Sequence, residues 1–155
     1  LEGAVEFIDV STLTESSAKS IHKNALSHLH AIIVCTNNPE ETIARYCWLT
    51  DQSSPRRIFG SSWQVGLDQQ KIIVCSEEDV ERVLPSVNVS NLPSILGYAL
   101  LTESLSKTKD CFSHNELVTQ SLNQGSFLVK LPEFISGNLI IGTSAADFPW
   151  NGDFN

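Results

Sequence analysis

Two cysteines occupy equivalent positions in a short sequence repeat. Residues 32–41 read IIVCTNNPEE and residues 72–81 read IIVCSEEDVE. A cysteine becomes nucleophilic when a helix N-terminus or a cation lowers its pKa and a base lies within reach. Cys35 and Cys75 each precede a predicted helix and are the candidate nucleophiles. The acidic residues that follow them act in the opposite direction, because negative charge raises a thiol pKa.

The alternative is that these cysteines are structural. Buried reduced thiols pack as small hydrophobic groups, and the four cysteines of the chain show no C-x-x-C spacing. We therefore interpret the repeat mainly as two core strands, each followed by a capped helix. Ser76 and Asp79 are predicted to form the capping box of the helix that follows the second strand. Unpaired cysteines also favour a reducing, cytoplasmic location.

Hydroxyl residues follow four of the predicted strands. Ligands of open parallel sheets bind beyond the carboxyl ends of the strands, where helix N-termini can hold an anion. The predicted ligand-binding residues are Ser11, Thr36, Ser76, Thr143, Ser144 and Asp147. The competing explanation is that serine and threonine cap helices and open loops in any protein.

Sequence signatures for metals and nucleotides are weak or absent. His28 and His30 could join a cysteine at a zinc ion, but an H-x-H pair fits a solvated helix end equally well. The sequence contains no Walker loop, no G-x-G-x-x-G and no G-x-S-x-G. We predict neither a metal site nor a cofactor.

The overall charge narrows the range of partners. The chain has 155 residues, a formal net charge of −8 and a pI near 4.8. Nucleic-acid binding needs clustered basic residues, so we predict no nucleic-acid partner. No apolar run approaches the roughly 18 residues of a membrane span, so we predict no membrane insertion. The chain starts at Leu1 and contains no methionine, which suggests a domain excised from a longer protein.

The hydrophobic pattern predicts alternating strands and helices. A helix that Asn38 caps should bury Ile43, Ala44, Cys47 and Trp48. Predicted strands span 5–10, 31–35, 71–75, 126–131 and 138–142, with a weaker one at 57–66; predicted helices span 12–29, 39–48, 77–84, 93–106 and 113–125. This order favours a single α/β domain over 1–155, with a doubly wound, mostly parallel sheet of about four to five strands, Rossmann-like or flavodoxin-like.

The end of the chain, 143–155, is predicted to be an irregular tail. Its aromatic residues Phe148, Trp150 and Phe154 could dock a partner or fold back on the body of the protein.

Two functions remain open from the sequence. The first is a non-catalytic interaction or regulatory domain that binds a protein partner or other domains of the same chain. The second is a small enzyme or ligand-binding domain that uses the strand ends, with a cysteine nucleophile as one option. The missing catalytic signatures and the dispersed charge favour the first.

Overall fold

The computed structural model describes residues 23–52, 54–132 and 137–151. The strands are β1 (Leu26–Cys35), β2 (Arg56–Phe59), β3 (Ser62–Leu67), β4 (Gln70–Cys75), β5 (Ser94–Thr102), β6 (Val118–Ser121), β7 (Ser126–Lys130) and β8 (Asn138–Gly142). The helices are α1 (Pro39–Leu49), α2 (Val80–Val83) and α3 (Leu105–His114), with 3-10 turns at Glu77–Asp79, Ala145–Asp147 and Pro149–Asn151. No helix in these ranges is both long and apolar enough to span a bilayer.

All eight strands form one mixed sheet in the order β2-β3-β4-β1-β5-β8-β7-β6. Among the described strands, only the pairs β1–β4 and β5–β8 are parallel. The other pairs are antiparallel, including β1–β5 at the centre. One strand, one helix and three more strands therefore follow one another twice, in an N-terminal half (26–75) and in a C-terminal half (94–142). The two halves meet where β1 pairs with β5.

The predicted doubly wound, mostly parallel sheet is wrong. The main cause is residues 94–102, which the sequence pattern assigned to a helix and the structure places in β5. This strand lies between β1 and β8 and packs on both faces, so its run SILGYALLT shows no regular alternation of polar and apolar residues. A short apolar run of this kind reads equally well as a buried helix.

The predicted helix at 113–125 is also wrong. Helix α3 ends at His114, and residues 118–121 form the edge strand β6. The sequence pattern also predicted that Ser113 and Glu116 form a capping box at the start of that helix. The backbone φ of Glu116 is 59°, in the left-handed region, so the box does not form. Residues 26–29, predicted to end the first helix, instead begin β1. The predicted strand at 5–10 and the start of that helix lie outside the described residues.

The two repeated apolar runs do lie inside the sheet, as predicted. β1 and β4 are parallel neighbours, with Ile33 beside Ile73 and Cys35 beside Cys75. Both isoleucines are fully buried, and Ile32 is partly buried. The helix cap is confirmed as well, because Asn38 Oδ1 accepts a hydrogen bond from the backbone N–H of Glu41 at 3.4 Å.

The apolar face predicted for α1 is only partly correct. Ile43 is buried and Cys47 packs against the same cluster. Ala44 is exposed, and Trp48 has 82% of its surface exposed. The helix packs on β3 and β4, and Ala44 and Trp48 lie on the part of its surface that faces solvent.

Alternate residues of each strand face opposite sides of the sheet. On one side, the helix face, α1 covers a cluster around Val34 and Val74, and α3 covers a cluster around Phe127 and Ile141. On the other side, the tail face, a single cluster runs across both halves; its strand residues include Ala31, Ile33, Cys35, Ile73, Cys75, Leu96, Ala99, Leu128 and Ile140. Helix α2 and the tail segment (143–151) pack on the tail face through Val83, Phe148 and Trp150.

Candidate functional site

A β-bulge in the central strand places His30 on the tail face. Leu29 pairs with Leu100 and Ala31 pairs with Ala99, so His30 is the extra residue between two regular pairs. A bulge of this type redirects the side chain of the extra residue. His30 is only 5% exposed, and its ring stacks on Phe148 with the centroids 5.0 Å apart and the planes 12° apart.

The tail segment supplies the rest of a three-ring stack. Phe148 lies between His30 and Trp150, and the centroids of Phe148 and Trp150 are 5.1 Å apart with the planes at 4°. The ring of Phe148 also covers Gly142, where an added Cβ would come within 3.1 Å of it. The close approach of this ring therefore favours glycine at the end of β8, because a larger residue would push the ring away.

A carboxylate shapes the turn that returns the tail to the sheet. Asp147 Oδ2 accepts hydrogen bonds from the backbone N–H groups of Thr143 (3.0 Å) and Ser144 (2.7 Å) and from both hydroxyls. Burial is the largest single influence on the pKa of Asp147 and raises it, but these hydrogen bonds together outweigh it and leave the pKa lowered. Asp147 is therefore an ionised group whose partners lie within its own turn.

Two ring nitrogens of the stack are buried without a hydrogen bond. Among the residues that the structure describes, the buried side-chain atoms with no partner are His30 Nε2, Trp63 Nε1, Gln64 Oε1, Ser76 Oγ and Trp150 Nε1. A buried polar atom without a partner costs about 1–3 kcal/mol, and native proteins contain few of them. The indole N–H of Trp150 can only donate, whereas a neutral imidazole nitrogen can donate or accept.

His30 lies in an environment that favours its neutral form. Burial is the main cause that lowers its pKa, and the positive charges of Lys71 and His28 lower it further. Lys71 pairs with Ala31, next to the bulge. Ile72 faces the helix side, so Lys71, the residue before it in the strand, faces the tail side. His30 is thus an uncharged, buried imidazole beside an ammonium group.

The two candidate thiols form a pair that the sequence did not predict. Cys35 and Cys75 are Cα partners on parallel strands, and both are fully buried and free. The Cys75 thiol donates to the backbone carbonyl of Val34 at 3.5 Å. The neighbouring Cys75 lowers the pKa of Cys35, while Cys35 and burial raise the pKa of Cys75. Neither sulfur reaches the surface, so a catalytic role for either cysteine stays a prediction that the burial does not support.

The predicted ligand-binding residues do not gather in one place. Thr36 and Ser76 follow β1 and β4 at one end of the sheet, but β8 runs in the opposite direction to β1. Thr143, Ser144 and Asp147 therefore lie at the other end, where they bond to one another. Ser11 lies outside the described residues.

The hydroxyl groups at the first end serve mainly local structure. Thr36 Oγ1 accepts from the backbone N–H of Asn38 and from Thr42 Oγ1, each at 3.3 Å. Ser76 Oγ has no partner among the described residues, so the predicted capping box with Asp79 is absent. Asp79 instead binds the turn between β2 and β3, where Ser61 and Ser62 donate to it.

In the described part of the chain, no three His, Cys, Asp or Glu side chains converge on a point that could hold a metal ion. His28 and His30 follow one another along β1, yet the cysteine nearest to them in the sequence, Cys35, lies at the far end of that strand. His30 and Cys35 are five residues apart along the strand, which corresponds to a distance of about 16 Å.

Comparison with known proteins identifies the fold. No protein-family model matches the sequence, and no curated protein matches it. Methylmalonyl-CoA epimerase from Mycobacterium tuberculosis superposes on 76% of this chain and 88% of its own, with a TM-score of 0.55 and 8% identity. Lactoylglutathione lyase from Agrobacterium tumefaciens aligns over 75% of this chain and 92% of its own, with a TM-score of 0.31 and 11% identity.

These findings correct two predictions. The fold is of the vicinal oxygen chelate (glyoxalase-like) type, not Rossmann-like or flavodoxin-like. The prediction of a non-catalytic interaction or regulatory domain is also contradicted, because methylmalonyl-CoA epimerase, a solved structure with this fold, is an enzyme. The sequence-based alternative, an enzyme or ligand-binding domain, agrees better with the comparison.

The sequence analysis did not predict that His30, Lys71 and Trp150 lie on the same face of the sheet. The signal for His30 was the run LSHLHAIIVC, in which histidines alternate with apolar residues and so indicate a strand. For Trp150, one of the two predicted alternatives is observed, because this side chain and Phe148 fold back on the body.

Proposed function

We propose that this protein, with its vicinal oxygen chelate fold, is a ligand-binding domain of the enzymatic kind whose small-molecule ligand binds on the tail face. The observation that carries the proposal is the pair of unpartnered nitrogens, His30 Nε2 and Trp150 Nε1, in one buried stack. Packing alone would favour apolar rings at both positions, since they would avoid the cost of two unpaired polar groups. A ligand with hydrogen-bonding atoms would satisfy both.

Each ring has a distinct use in such a site. Neutral His30 can accept or donate a proton at Nε2, which is the usual requirement of a general acid or base near neutral pH. Trp150 can donate a hydrogen bond that orients an acceptor atom of the ligand. Phe148 supplies an apolar surface between them, as small-molecule sites commonly do. The likeness in fold to methylmalonyl-CoA epimerase supports an enzyme at the level of fold alone.

The tail segment controls access in this proposal. Phe148 and Trp150 are 1% and 3% exposed, and they cover the imidazole of His30. A ligand can reach the two nitrogens only when residues 148–150 lift from the sheet. The turn that Asp147 organises is the hinge of this movement, because the Asp147 carboxylate holds Thr143 and Ser144 and its carbonyl is tied to Asn123 and Ser126.

The test is a fragment screen observed at the indole N–H groups by NMR. The chain has three tryptophans. We expect bound fragments to shift the Trp150 signal and to leave the signal of exposed Trp48 on helix α1 unchanged. Trp150→Phe keeps an aromatic ring but removes the donor, and it should weaken binding about tenfold, the value of one hydrogen bond of about 1.4 kcal/mol.

Two results would overturn the proposal. One is a screen of several hundred fragments in which none shifts Trp150. The other is binding that moves Trp48 as much as Trp150 and that survives Trp150→Phe unchanged, since that pattern describes nonspecific association.

We further propose that the protein acts in a reducing compartment such as the cytoplasm and does not bind nucleic acid. The four free cysteines support the first statement and the net charge of −8 supports the second. Thiol counting on protein isolated from its native cells under acid quench would test the compartment.

A further inference from the structure

A small positive region lies on the tail face of an otherwise acidic protein. Lys71 begins β4 beside the bulge, and His28 and His30 lie on the neighbouring strand β1. The chain as a whole carries a net charge of −8. The ammonium charge of Lys71, beside two imidazoles in such a protein, calls for a negatively charged partner.

No protein carboxylate in the described ranges fills that role. The structure shows no ion pair for Lys71 with any residue it describes. The two carboxylates with the most hydrogen bonds near the tail face are occupied elsewhere: Asp147 binds Thr143 and Ser144, and Asp79 binds Ser61 and Ser62. Lys71, a half-buried residue, therefore carries a charge that none of these carboxylates pairs.

We infer that the ligand of the tail face carries a carboxylate, which Lys71 binds as counterion while the ring N–H groups of His30 and Trp150 donate hydrogen bonds to the ligand. This inference rests on the proposed function and specifies its ligand class. An ionised carboxylate only accepts hydrogen bonds, and Lys71 and Trp150 only donate them. The imidazole of His30 completes the set in the tautomer that carries the proton on Nε2.

A carboxylate fits this set of donors better than a phosphate. Phosphate sites commonly use arginine forks or the N-terminus of a helix. Strands β1 and β4, which carry His30 and Lys71, contain no arginine. One lysine with the neutral Nε2–H donor of His30 matches a single negative charge. The Trp150 donor lies across the ring of Phe148 and therefore serves another part of the ligand. The flat carboxylate group also suits a site whose walls are stacked rings.

The experiment compares benzoate, benzamide and phenyl phosphate as probes of nearly equal shape, with the Trp150 indole signal as the reporter. We expect benzoate to bind at least about tenfold more tightly than benzamide, as for a charge-assisted contact worth about 1.5 kcal/mol or more. Benzoate should also bind more tightly than phenyl phosphate. Lys71→Gln should abolish the preference for benzoate and leave benzamide binding unchanged.

Two further variants separate charge from folding. Lys71→Arg keeps the positive charge and should retain the preference for benzoate. Lys130→Gln removes a lysine at the end of β7, four strands away in the same sheet, and should have no effect. The amide spectrum of each variant shows whether the sheet is intact.

The outcomes distinguish this inference from the proposed function. Equal binding of benzoate and benzamide, unaffected by Lys71→Gln, would overturn the carboxylate assignment and leave a neutral ligand on the tail face. A stronger phenyl phosphate signal that depends on Lys71 would overturn it in favour of a phosphate. Failure of all three probes at Trp150 would also overturn it, while the fragment screen independently decides whether the tail face binds ligands.

Discussion

The two halves of the sheet share one topology but differ in the chemistry of their tail faces. In the C-terminal half, the centre of the tail face is apolar, as at Leu96, Leu128 and Ile140, and polar residues lie at the strand ends. The N-terminal half carries the thiol pair, the bulge at His30 and the ammonium group of Lys71 on the same side. The fold is thus symmetric in its backbone, while the candidate site belongs to one half.

The C-terminal half contributes to the site through its extension. The tail segment leaves β8 and lays Phe148 and Trp150 across the centre of the sheet onto His30. A regular parallel register joins β5 to β8, whereas the pairing of β1 with β5 is shifted at the bulge. The irregular pairing of β1 with β5, and not the repeated topology, therefore produces the candidate site.

The largest expected effect tests whether the halves are equivalent in packing. Ile73→Ala removes a fully buried side chain from the N-terminal half and Ile140→Ala removes one from the C-terminal half. Each should lower the free energy of unfolding by about 2–5 kcal/mol in a denaturant titration. A loss below about 1 kcal/mol in one half alone would show that this half is loosely packed.

The thiol pair provides a second contrast, within the N-terminal half. Cys35 and Cys75 are fully buried, whereas Cys47 and Cys111 are partly exposed. Alkylation of a buried thiol requires local opening, which slows the reaction about 100-fold for an opening free energy of about 2.7 kcal/mol. We therefore expect mass spectrometry to detect label on Cys47 and Cys111 first. Faster labelling of Cys35 would instead indicate an activated nucleophile.

The pH dependence of stability distinguishes the bulge from the rest of the sheet. Because the pKa of His30 is lowered from 6.5, the unfolded state binds this proton more readily than the folded state. Stability from this group is complete above pH 6.5 and is lost as the pH falls from there to the folded-state pKa. Equilibrium unfolding between pH 8 and 5 should show this loss.

Two variants assign that loss to His30. His30→Phe keeps a ring in the stack, cannot be protonated and should flatten the pH dependence in this interval. His114→Gln, at the exposed end of α3, should keep it. Equal slopes in the wild type and His30→Phe would contradict the assignment.

The two helices that cover the sheet allow a smaller comparison. Asn38 caps α1 and also donates from Nδ2 to Glu41 at 2.8 Å, whereas Ser104 caps α3 through one long bond of 3.5 Å. Asn38→Ala should cost about 0.5–2 kcal/mol, and Ser104→Ala should lie at the low end of that range. The reverse order in thermal or chemical unfolding would show that the bond lengths do not rank the caps.

The smallest expected effect is that of Ser76→Ala. The hydroxyl of Ser76 is buried and has no partner among the described residues, so its removal deletes no hydrogen bond. The free energy of unfolding should change by less than about 0.5 kcal/mol or rise slightly, because an unpaired polar atom leaves the interior. A loss of about 1 kcal/mol or more would restore the capping role that the sequence pattern suggests.

Local patterns predicted the parts of the fold whose signals are themselves local. The runs at 31–35 and 71–75 are short, β-branched and bounded by polar residues, and both became interior strands. The cap at Asn38 depends on a hydrogen bond that spans three residues. β5 could not be recognised in this way, because strands β1 and β8 enclose it and its sequence has no polar face.

The sequence by itself determined the acidic charge, the two core strands and the start of α1, since composition and short-range periodicity act without knowledge of the fold. The tertiary structure alone decided that β1 and β5 run antiparallel, and this separates the hydroxyl residues after β8 from those after β1 and β4. It also decided the candidate site, because His30, Lys71 and Trp150 are distant in the chain. Strand pairing, the bulge and the returning tail bring them to one face, and no short-range pattern encodes such long-range contacts.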